Sequence, residues 1–249
     1  MNLDRLYIVT IENNQENYDD CLRRVTYMSL PHETIYEFRG VNGKQVFETK
    51  QDLVNYGIKE YDGWNIGPNS NGFWSRDLTR GELGCIASHI EIWEDAYENG
   101  YENIMILEDD FFPIRPLDWE SIEPILDDTD WDLFYLGRIV QESFNILDSP
   151  SDDLITQTGF SYQTHAYMLS KEGIRKMVED HLPILKQNII PADEFLPCTY
   201  GMNPRSDIQN MYTPNINSYG FTDWENRIIQ MRTEIFGNSQ TAPEEGIDY

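Results

Sequence analysis

Three consecutive carboxylates stand directly after the apolar run Ile104 to Leu107. Such a run is typical of a central parallel strand, and the carboxyl ends of these strands form the ligand crevice of open α/β sheets. Hard oxygen ligands at that place suit Mn²⁺ or Mg²⁺, which bridge to phosphate oxygens. In an extended segment Glu108 and Asp110 point to one side and Asp109 to the other, so Glu108 and Asp110 are the candidate metal ligands. The alternative is a plain acidic turn after the strand.

Arginines are scarce in a chain with 18 basic and 44 acidic residues, and several lie near predicted ends of strands or helices. Any of them could neutralise a diphosphate through bidentate hydrogen bonds. Ordinary surface pairing with the abundant carboxylates is the alternative for each one. The candidates are Arg5, Arg23, Arg24 and Arg80.

A capped helix is predicted to carry Ser88 and His89. Thr79 and Glu82 have the T-x-x-E spacing of a capping box, and Gly100 stands where a helix end favours a left-handed residue. We expect His89 and Ser88 to face a ligand, although a lone histidine is also common as a hydrogen-bonded structural residue. Apolar residues at three- and four-residue spacing define the buried face of this helix: Leu83, Ile86, Ile90, Trp93 and Tyr97.

The remaining elements alternate between strands and helices, which predicts an α/β sheet. Strands are predicted at 3–11, 34–38, 132–137 and 164–169, and helices at about 15–28 and from Ser170 to about Glu179. Residues 60–76 are rich in Gly, Asn and Trp without any period, which indicates a long loop, either a binding loop or a surface insertion. We expect a single domain over 1–238 and a polar, flexible tail over 239–249.

The composition excludes several classes of protein. The net charge of −26 predicts that nucleic acid and anionic membranes are repelled. No apolar run approaches the roughly 18 residues of a membrane-spanning helix, and no signal peptide is recognised. Cys21, Cys85 and Cys198 show no zinc-type spacing, which indicates reduced thiols and a cytoplasmic location.

The segment RDLTRGELGCIASHIEIWEDAYENGYENIMILEDD, residues 76–110, resembles the signature of glycosyltransferase family 25. That family includes bacterial lipopolysaccharide galactosyltransferases and procollagen galactosyltransferases. It shows L-T-x-G-E-x-G-C-x-x-S-H-x-x-x-W, followed by a strand that ends in L-E-D-D. Further segments resemble the family in order along the chain, over roughly residues 3–200: LYIVTIENNQENYDDCLRR, FRGVNG, WDLFYLG, THAYMLSKEG and PADEFL. The turn FRGVNG departs from the family pattern, because Asn42 replaces the usual acidic residue.

The resemblance implies a GT-A type fold, in which a Rossmann-like mixed sheet is flanked by helices. It also implies an inverting sugar transferase that takes galactose from UDP-galactose and delivers it to a hydroxyl of a glycan or a hydroxylated side chain. The cofactor would be Mn²⁺ or Mg²⁺, held by Glu108 and Asp110. The residues expected to contact the UDP-sugar donor are Arg5, Arg24, Arg80, Ser88, His89 and Asp109.

Asp193 and Glu194 are the candidates for the base that takes the proton from the acceptor hydroxyl. They lie in the family-like segment PADEFL, at a predicted junction between loop and helix, and Asp193 is preferred because it occupies the aspartate position of P-x-D. The alternative role of Asp193 is that of a helix N-cap. Two other functions remain open for the whole chain: a catalytically silent sugar- or nucleotide-binding protein, and a metal-dependent nucleotidyl- or phosphotransferase. The lack of a Gly-rich phosphate loop disfavours the second.

Overall fold

A computed structural model describes residues 3–11, 15–29, 35–64, 77–140, 149–150, 154–222 and 228–230. It is a mixed sheet flanked by helices, so the predicted α/β class is confirmed. Most of the predicted loop at 60–76 and the whole predicted tail at 239–249 lie outside the described residues. The prediction of a single domain remains a prediction.

The strands of the described part are β1 Arg5–Ile11, β2 Ile35–Gly40, β3 Asn103–Glu108, β4 Phe111–Pro113, β5 Leu133–Val140, β6 Ser149–Pro150, β7 Ile155–Gln157, β8 Ser161–Ser170, β9 Ser218–Phe221 and β10 Ile228–Gln230. The helices there are α1 Gln15–Tyr27, α2 Gly43–Val46, α3 Lys50–Tyr56, α4 Arg80–Asn99, α5 Trp119–Asp127, α6 Lys171–Lys176, α7 Leu182–Leu185, α8 Ala192–Thr199 and α9 Ser206–Gln209. A π-helical stretch, Met177–His181, joins α6 to α7, so the helix predicted to end near Glu179 continues to Leu185.

The main sheet has the strand order β2-β1-β3-β8-β5-β9-β7-β6. Strands β1, β2 and β3 are parallel to one another, β8 is antiparallel to both β3 and β5, and β5 is parallel to β9. It follows that β1, β2, β3 and β5 all end at the same edge of the sheet, which we call the carboxyl edge. A separate antiparallel pair is formed by β4 and β10.

Each face of the sheet packs against its own helices. One apolar cluster fills the space between the sheet and α4 and α8, with Trp93 and Phe195 among its largest buried side chains. The other cluster lies on the side of α1 and α5, around Val25, Leu107 and Ile122. Since β3 alternates between these clusters, Ile106 faces α4 and Leu107 faces α1.

Helix α4 begins as predicted. The Glu82 backbone N–H donates to Thr79 Oγ1 at 3.2 Å, and the Thr79 backbone N–H donates to Glu82 Oε2 at 2.8 Å. Its C-cap Gly100 has φ 68°, in the left-handed region. At Gly84 a Cβ would lie 2.5 Å from the Val41 carbonyl oxygen, so only glycine lets the turn after β2 pack onto this helix. The second turn of α4 is therefore fixed against the carboxyl edge.

Candidate active site at the carboxyl edge

Glu108, the last residue of β3, meets side chains from α4 and β8. Its Oε1 lies 3.1 Å from His89 Nε2 and accepts a hydrogen bond of 2.5 Å from Thr164 Oγ1. The thiol of Cys85 is 3.9 Å from the same oxygen. The described hydrogen bonds thus all reach Oε1, and the Glu108 side chain remains 20% exposed. One oxygen of this carboxylate is held by the protein while the side chain still reaches the surface.

The ring nitrogen of His89 that faces away from Glu108 is also hydrogen-bonded. Its Nδ1 lies 2.8 Å from the hydroxyl of Tyr167, which accepts a 3.0 Å hydrogen bond from Trp93 Nε1. The rings of His89 and Tyr167 stack with centroids 5.6 Å apart. His89 is only 1% exposed, so its ring is enclosed by the protein. Its connection to the expected ligand site runs through Glu108.

These contacts set the charge of Glu108. Burial alone would raise the pKa of this carboxyl group. The hydrogen bonds from His89 and Thr164 outweigh burial, so the pKa of Glu108 lies below its ordinary value. A carboxylate that stays ionised while largely enclosed is suited to binding a cation.

Asp193 lies in the first turn of α8, where the charge of Glu108 acts on it. Burial raises the pKa of Asp193 to about 8, and the charges of Glu108 and Glu194 add to the rise. A hydrogen bond from the Gln163 backbone N–H opposes it. Gln163 has φ 77°, in the left-handed region that is costly for a residue with a Cβ. The N-cap of α8 is Pro191, so the alternative in which Asp193 caps the helix is wrong.

Glu194 points elsewhere. Its side chain is fully buried, accepts a 2.9 Å hydrogen bond from Tyr162 Oη at Oε1, and accepts another of 2.9 Å from Asn203 Nδ2 at Oε2. Asn203 also donates to the Glu194 backbone carbonyl at 2.7 Å. Both oxygens are engaged by the protein, so Glu194 ties α8 to the segment that follows it.

The expected extended geometry of Glu108 and Asp110 is wrong, because β3 ends at Glu108 and the next two residues form a turn. Asp109 accepts a 3.3 Å hydrogen bond from Thr10 Oγ1, and Asp110 is 7% exposed. The charges of both aspartates raise the pKa of Cys21 on α1, after burial, which is the larger cause. Asp109 and Asp110 therefore lie within electrostatic reach of α1. The role of Asp109 as a donor contact and that of Asp110 as a metal ligand remain predictions.

Arg24 supports this turn from α1. Its Nη1 donates to the backbone carbonyls of Asp109, at 3.0 Å, and Phe111, at 2.8 Å. Both bonds go to main-chain oxygens, so Arg24 positions the acidic turn.

The other predicted donor contacts are scattered. Arg5 pairs with Ile104 at the opposite end of β1 and β3 and donates to Tyr101, so the structure does not bring it to the carboxyl edge. Arg80 opens α4 and is partly exposed. Ser88 is buried, accepting from the Val41 backbone N–H at 2.8 Å and donating to the Gly84 carbonyl at 2.7 Å. Ser88 therefore holds the turn after β2 onto α4.

Cys85, Thr164 and Gln163 are site residues that the sequence reasoning did not select. Cys85 was visible, since it stands four residues before His89 and the two share a helix face. Among the described residues, the one group of ligand atoms close enough to hold an ion is Cys85, His89 and Glu108, all within 4.8 Å of one another. Asp110 is not part of that group. No local signal marked Thr164 or Gln163.

The fold and the acidic site define the class of protein, an α/β protein with a candidate ligand site at the carboxyl edge of its sheet. Residues 58–113, which span α4, β3 and the acidic turn, match the sequence model of "Glycosyltransferase family 25 (LPS biosynthesis protein)". A "Glycosyltransferase 25 family member" of Aedes aegypti is 29% identical over 217 residues, covering 85% of this chain and 33% of that protein. The resemblance to glycosyltransferase family 25 is therefore confirmed.

Two further relatives differ in whether their names describe an active enzyme. "Procollagen galactosyltransferase 1-B" of Xenopus laevis is 28% identical, covering 86% of this chain and 34% of the relative. "Probable inactive glycosyltransferase 25 family member 3" of Bos taurus is 26% identical, also covering 86% and 34%. The chain spans about a third of the length of these relatives. The solved structure "Crystal Structure of A197 from STIV" aligns over 89% of this chain and 83% of that chain with 10% identity and a TM-score of 0.36, too low to carry an argument.

Proposed function

We propose that this chain is an inverting, metal-dependent glycosyltransferase that moves galactose from UDP-galactose to a hydroxyl of a glycan or of a hydroxylated side chain. The names of its family and of its relatives support the reaction class. The observation that carries the proposal is that Glu108 and Asp193 lie within electrostatic reach of one another at the carboxyl edge, where α/β sheets bind their ligands. Two carboxylates far apart in sequence are thereby held in contrasting states, one with a lowered and one with a raised pKa.

The donor atoms at this edge fit a hard divalent cation. Mn²⁺ and Mg²⁺ prefer carboxylate oxygens, and Glu108 offers one that is kept ionised. Glu108 and Asp110 would hold the ion, with Asp110 supplied by the turn that Arg24 positions. A bound cation would supply positive charge beside the leaving diphosphate.

Asp193 is the proposed base. In a single in-line displacement the acceptor hydroxyl attacks the anomeric carbon from the face opposite the diphosphate, and its proton passes to a carboxylate within hydrogen-bond reach. Asp193 is only partly buried, whereas Glu194 is enclosed with both oxygens engaged. A base with a pKa of about 8 accepts a proton more strongly than an ordinary aspartate once it is ionised.

A catalytically silent sugar- or nucleotide-binding protein is the second candidate. The Bos taurus relative, named as probably inactive, favours it, as does the pKa of Asp193, which leaves this residue largely protonated at neutral pH without a ligand. No contact in the described part of the chain favours a nucleotidyl- or phosphotransferase.

The proposal also includes a cellular location and a class of acceptor. Cys21, Cys85 and Cys198 are free thiols, which supports the cytoplasmic location. No helix in the described ranges is both long enough and apolar enough to cross a membrane. Lipopolysaccharide glycans and hydroxylated peptides are the two acceptor classes to test.

The deciding experiment is release of UDP from UDP-galactose, with Mn²⁺ or with a chelator, and with or without acceptor. We expect slow Mn²⁺-dependent hydrolysis that an acceptor accelerates. The Glu108→Gln variant serves as the matched inactive control, since it keeps the size of the side chain. If the protein binds UDP but never releases it from the sugar under any acceptor, it is silent and the transferase proposal is wrong.

A further inference from the structure

The hydroxyl of Tyr167 decides where the proton of His89 resides. An indole N–H only donates, so the 3.0 Å contact makes Tyr167 Oη the acceptor of Trp93 Nε1. A tyrosine hydroxyl has one proton to give, and its other described contact is His89 Nδ1 at 2.8 Å. The arrangement that gives the buried Tyr167 proton an acceptor has the O–H donating to Nδ1, and that nitrogen then carries a lone pair rather than a proton.

A neutral imidazole with an unprotonated Nδ1 carries its proton on Nε2. This N–H is directed at Glu108 Oε1, 3.1 Å away. Trp93, Tyr167 and His89 are each at most 1% exposed, so water does not compete for these bonds. The donors run in one direction, from Trp93 to Tyr167 to His89 to Glu108.

We propose that Trp93 and Tyr167 are positioning residues that fix the tautomer of His89, so that His89 acts as a hydrogen-bond donor to Glu108 Oε1 and leaves Oε2 for the cation. The inference rests on the proposed function of Glu108. The proposal also bears on the cluster formed by Cys85, His89 and Glu108. Because a protonated Nε2 has no free lone pair, His89 does not act as a metal ligand in that cluster.

The tautomer is measured directly by ¹⁵N NMR of the histidine rings. The chain has four histidines, and the His89→Gln variant assigns the signal. We expect Nε2 of His89 to be protonated and Nδ1 unprotonated in the metal-free protein, and both to remain so after addition of Mg²⁺ and UDP. Tyr167→Phe should mix the two tautomers, because Nδ1 loses its donor. Loss of the Nε2 proton on addition of Mg²⁺ or Zn²⁺ would make His89 a ligand and overturn the proposal.

Affinity for Mn²⁺ in the presence of UDP, measured by calorimetry, tests the effect on Glu108. His89→Leu should weaken Mn²⁺ binding by ~10- to 100-fold, the usual cost of removing a group that orients a metal ligand. His89→Gln retains an N–H and should recover most of that loss. Tyr167→Phe should weaken binding less, by ~5-fold.

Tyr135→Phe is the matched control, because Tyr135 is equally buried in the same cluster but contacts Tyr200 instead of His89. Thermal unfolding of every variant shows whether a lost affinity reflects lost folding. The proposal fails if His89→Gln is as weak as His89→Leu, or if Tyr167→Phe behaves like Tyr135→Phe. If the wild type shows no Mn²⁺-dependent UDP binding, the proposed function fails, while the NMR result still decides the tautomer.

Discussion

Asp193 and Glu194 are neighbours in the chain, yet their carboxylates meet different surroundings. They occupy successive positions in the first turn of α8, about 100° apart around its axis. Glu194 is directed into the core, where Tyr162 and Asn203 satisfy it. Asp193 remains partly exposed within electrostatic reach of Glu108, in a field of negative charge. At the scale of single residues, this difference in direction separates a structural carboxylate from a candidate base.

Replacing Asp193 with Asn should abolish transfer and spare binding. The change keeps the size of the side chain but removes the base, so transfer should fall by ~100-fold or more. Affinity for UDP with Mn²⁺ should be retained, because those contacts belong to Glu108 and Asp110. Initial rates and calorimetry on the same preparations check both parts.

The control for that variant is Glu194→Gln. It should lower stability rather than the rate per folded molecule, since Glu194 is buried and hydrogen-bonded at both oxygens. If Glu194→Gln stops transfer and Asp193→Asn does not, the two roles are exchanged. If neither variant matters, the base lies elsewhere, and Asp223 and Glu225, which lie outside the described residues, are the next to test.

Asp193 should also make the stability of the fold fall with rising pH. Its pKa is raised from 3.8 to about 8, so between these values the folded protein holds a proton that the unfolded chain has released. The stabilising effect is complete below pH ~4 and is lost as the pH rises through about 8. The amide introduced by Asp193→Asn carries no charge at any pH. In urea unfolding with a chelator present, this variant should match the wild type near pH 4 and exceed it in stability at pH 9.

The test is whether Asp193→Asn is more stable than the wild type at pH 9. Other groups titrate in both proteins and cancel in the comparison, which isolates residue 193. Equal stabilities at pH 9 would mean that Asp193 is an ordinary, solvated aspartate.

At the scale of elements, the sequence predicts the helices and strands whose characteristic patterns lie within their own residues. Helix α4 was predicted because its capping box and terminal glycine lie within its own sequence, and β3 because its apolar run is continuous. Helix α3 was missed, since its cap pairs Thr49 with Asp52 instead of glutamate, and α5 was missed with Pro124 inside it. Short strands such as β6 and β7 depend on pairing partners that no local pattern shows.

The same distinction explains what was predicted of the site. Glu108 follows from its place at the end of an apolar strand, whereas His89 and Asp193 follow from the family-like motifs that contain them. Thr164 was not selected, because strict alternation from Tyr167 would put it on the other face of the sheet from Glu108. Shifts of register between β5 and β8 and the left-handed Gln163 interrupt that alternation. The interruption depends on how the strands pair in three dimensions.

The cap of α4 offers a test at this scale. Thr79→Ala removes the oxygen that accepts the Glu82 N–H and should lower the free energy of unfolding by roughly 1 kcal/mol. Thr79→Ser keeps that oxygen and is the control. Urea unfolding measures the change. A loss several times larger would show that Thr79 does more than cap the helix.

At the scale of the whole molecule, the net charge of −26 opposes the binding of an anionic nucleotide. Of the predicted donor contacts, Arg5 lies at the far end of β1, and Arg24 uses Nη1 to hold the acidic turn through main-chain carbonyls. A divalent cation bound between the carboxylates and the diphosphate would offset the field locally. Under the proposed function, this overall charge would make the metal a condition for tight donor binding.

Salt should therefore act in opposite directions on UDP binding with and without the metal. Without metal, raising the ionic strength from ~0.05 to ~0.5 M screens the repulsion and should strengthen UDP binding several-fold, because the Debye length shrinks to a few ångström. With saturating Mn²⁺ the nucleotide binds through a cation that the carboxylates attract, so the same change should weaken binding or leave it unchanged. Uridine, which has no charge, should show no salt dependence in either condition. Titration calorimetry of UDP and of uridine, each with and without Mn²⁺, gives the dependence of affinity on salt concentration. If the affinity for UDP without metal falls as salt is added, basic side chains rather than the cation neutralise the diphosphate.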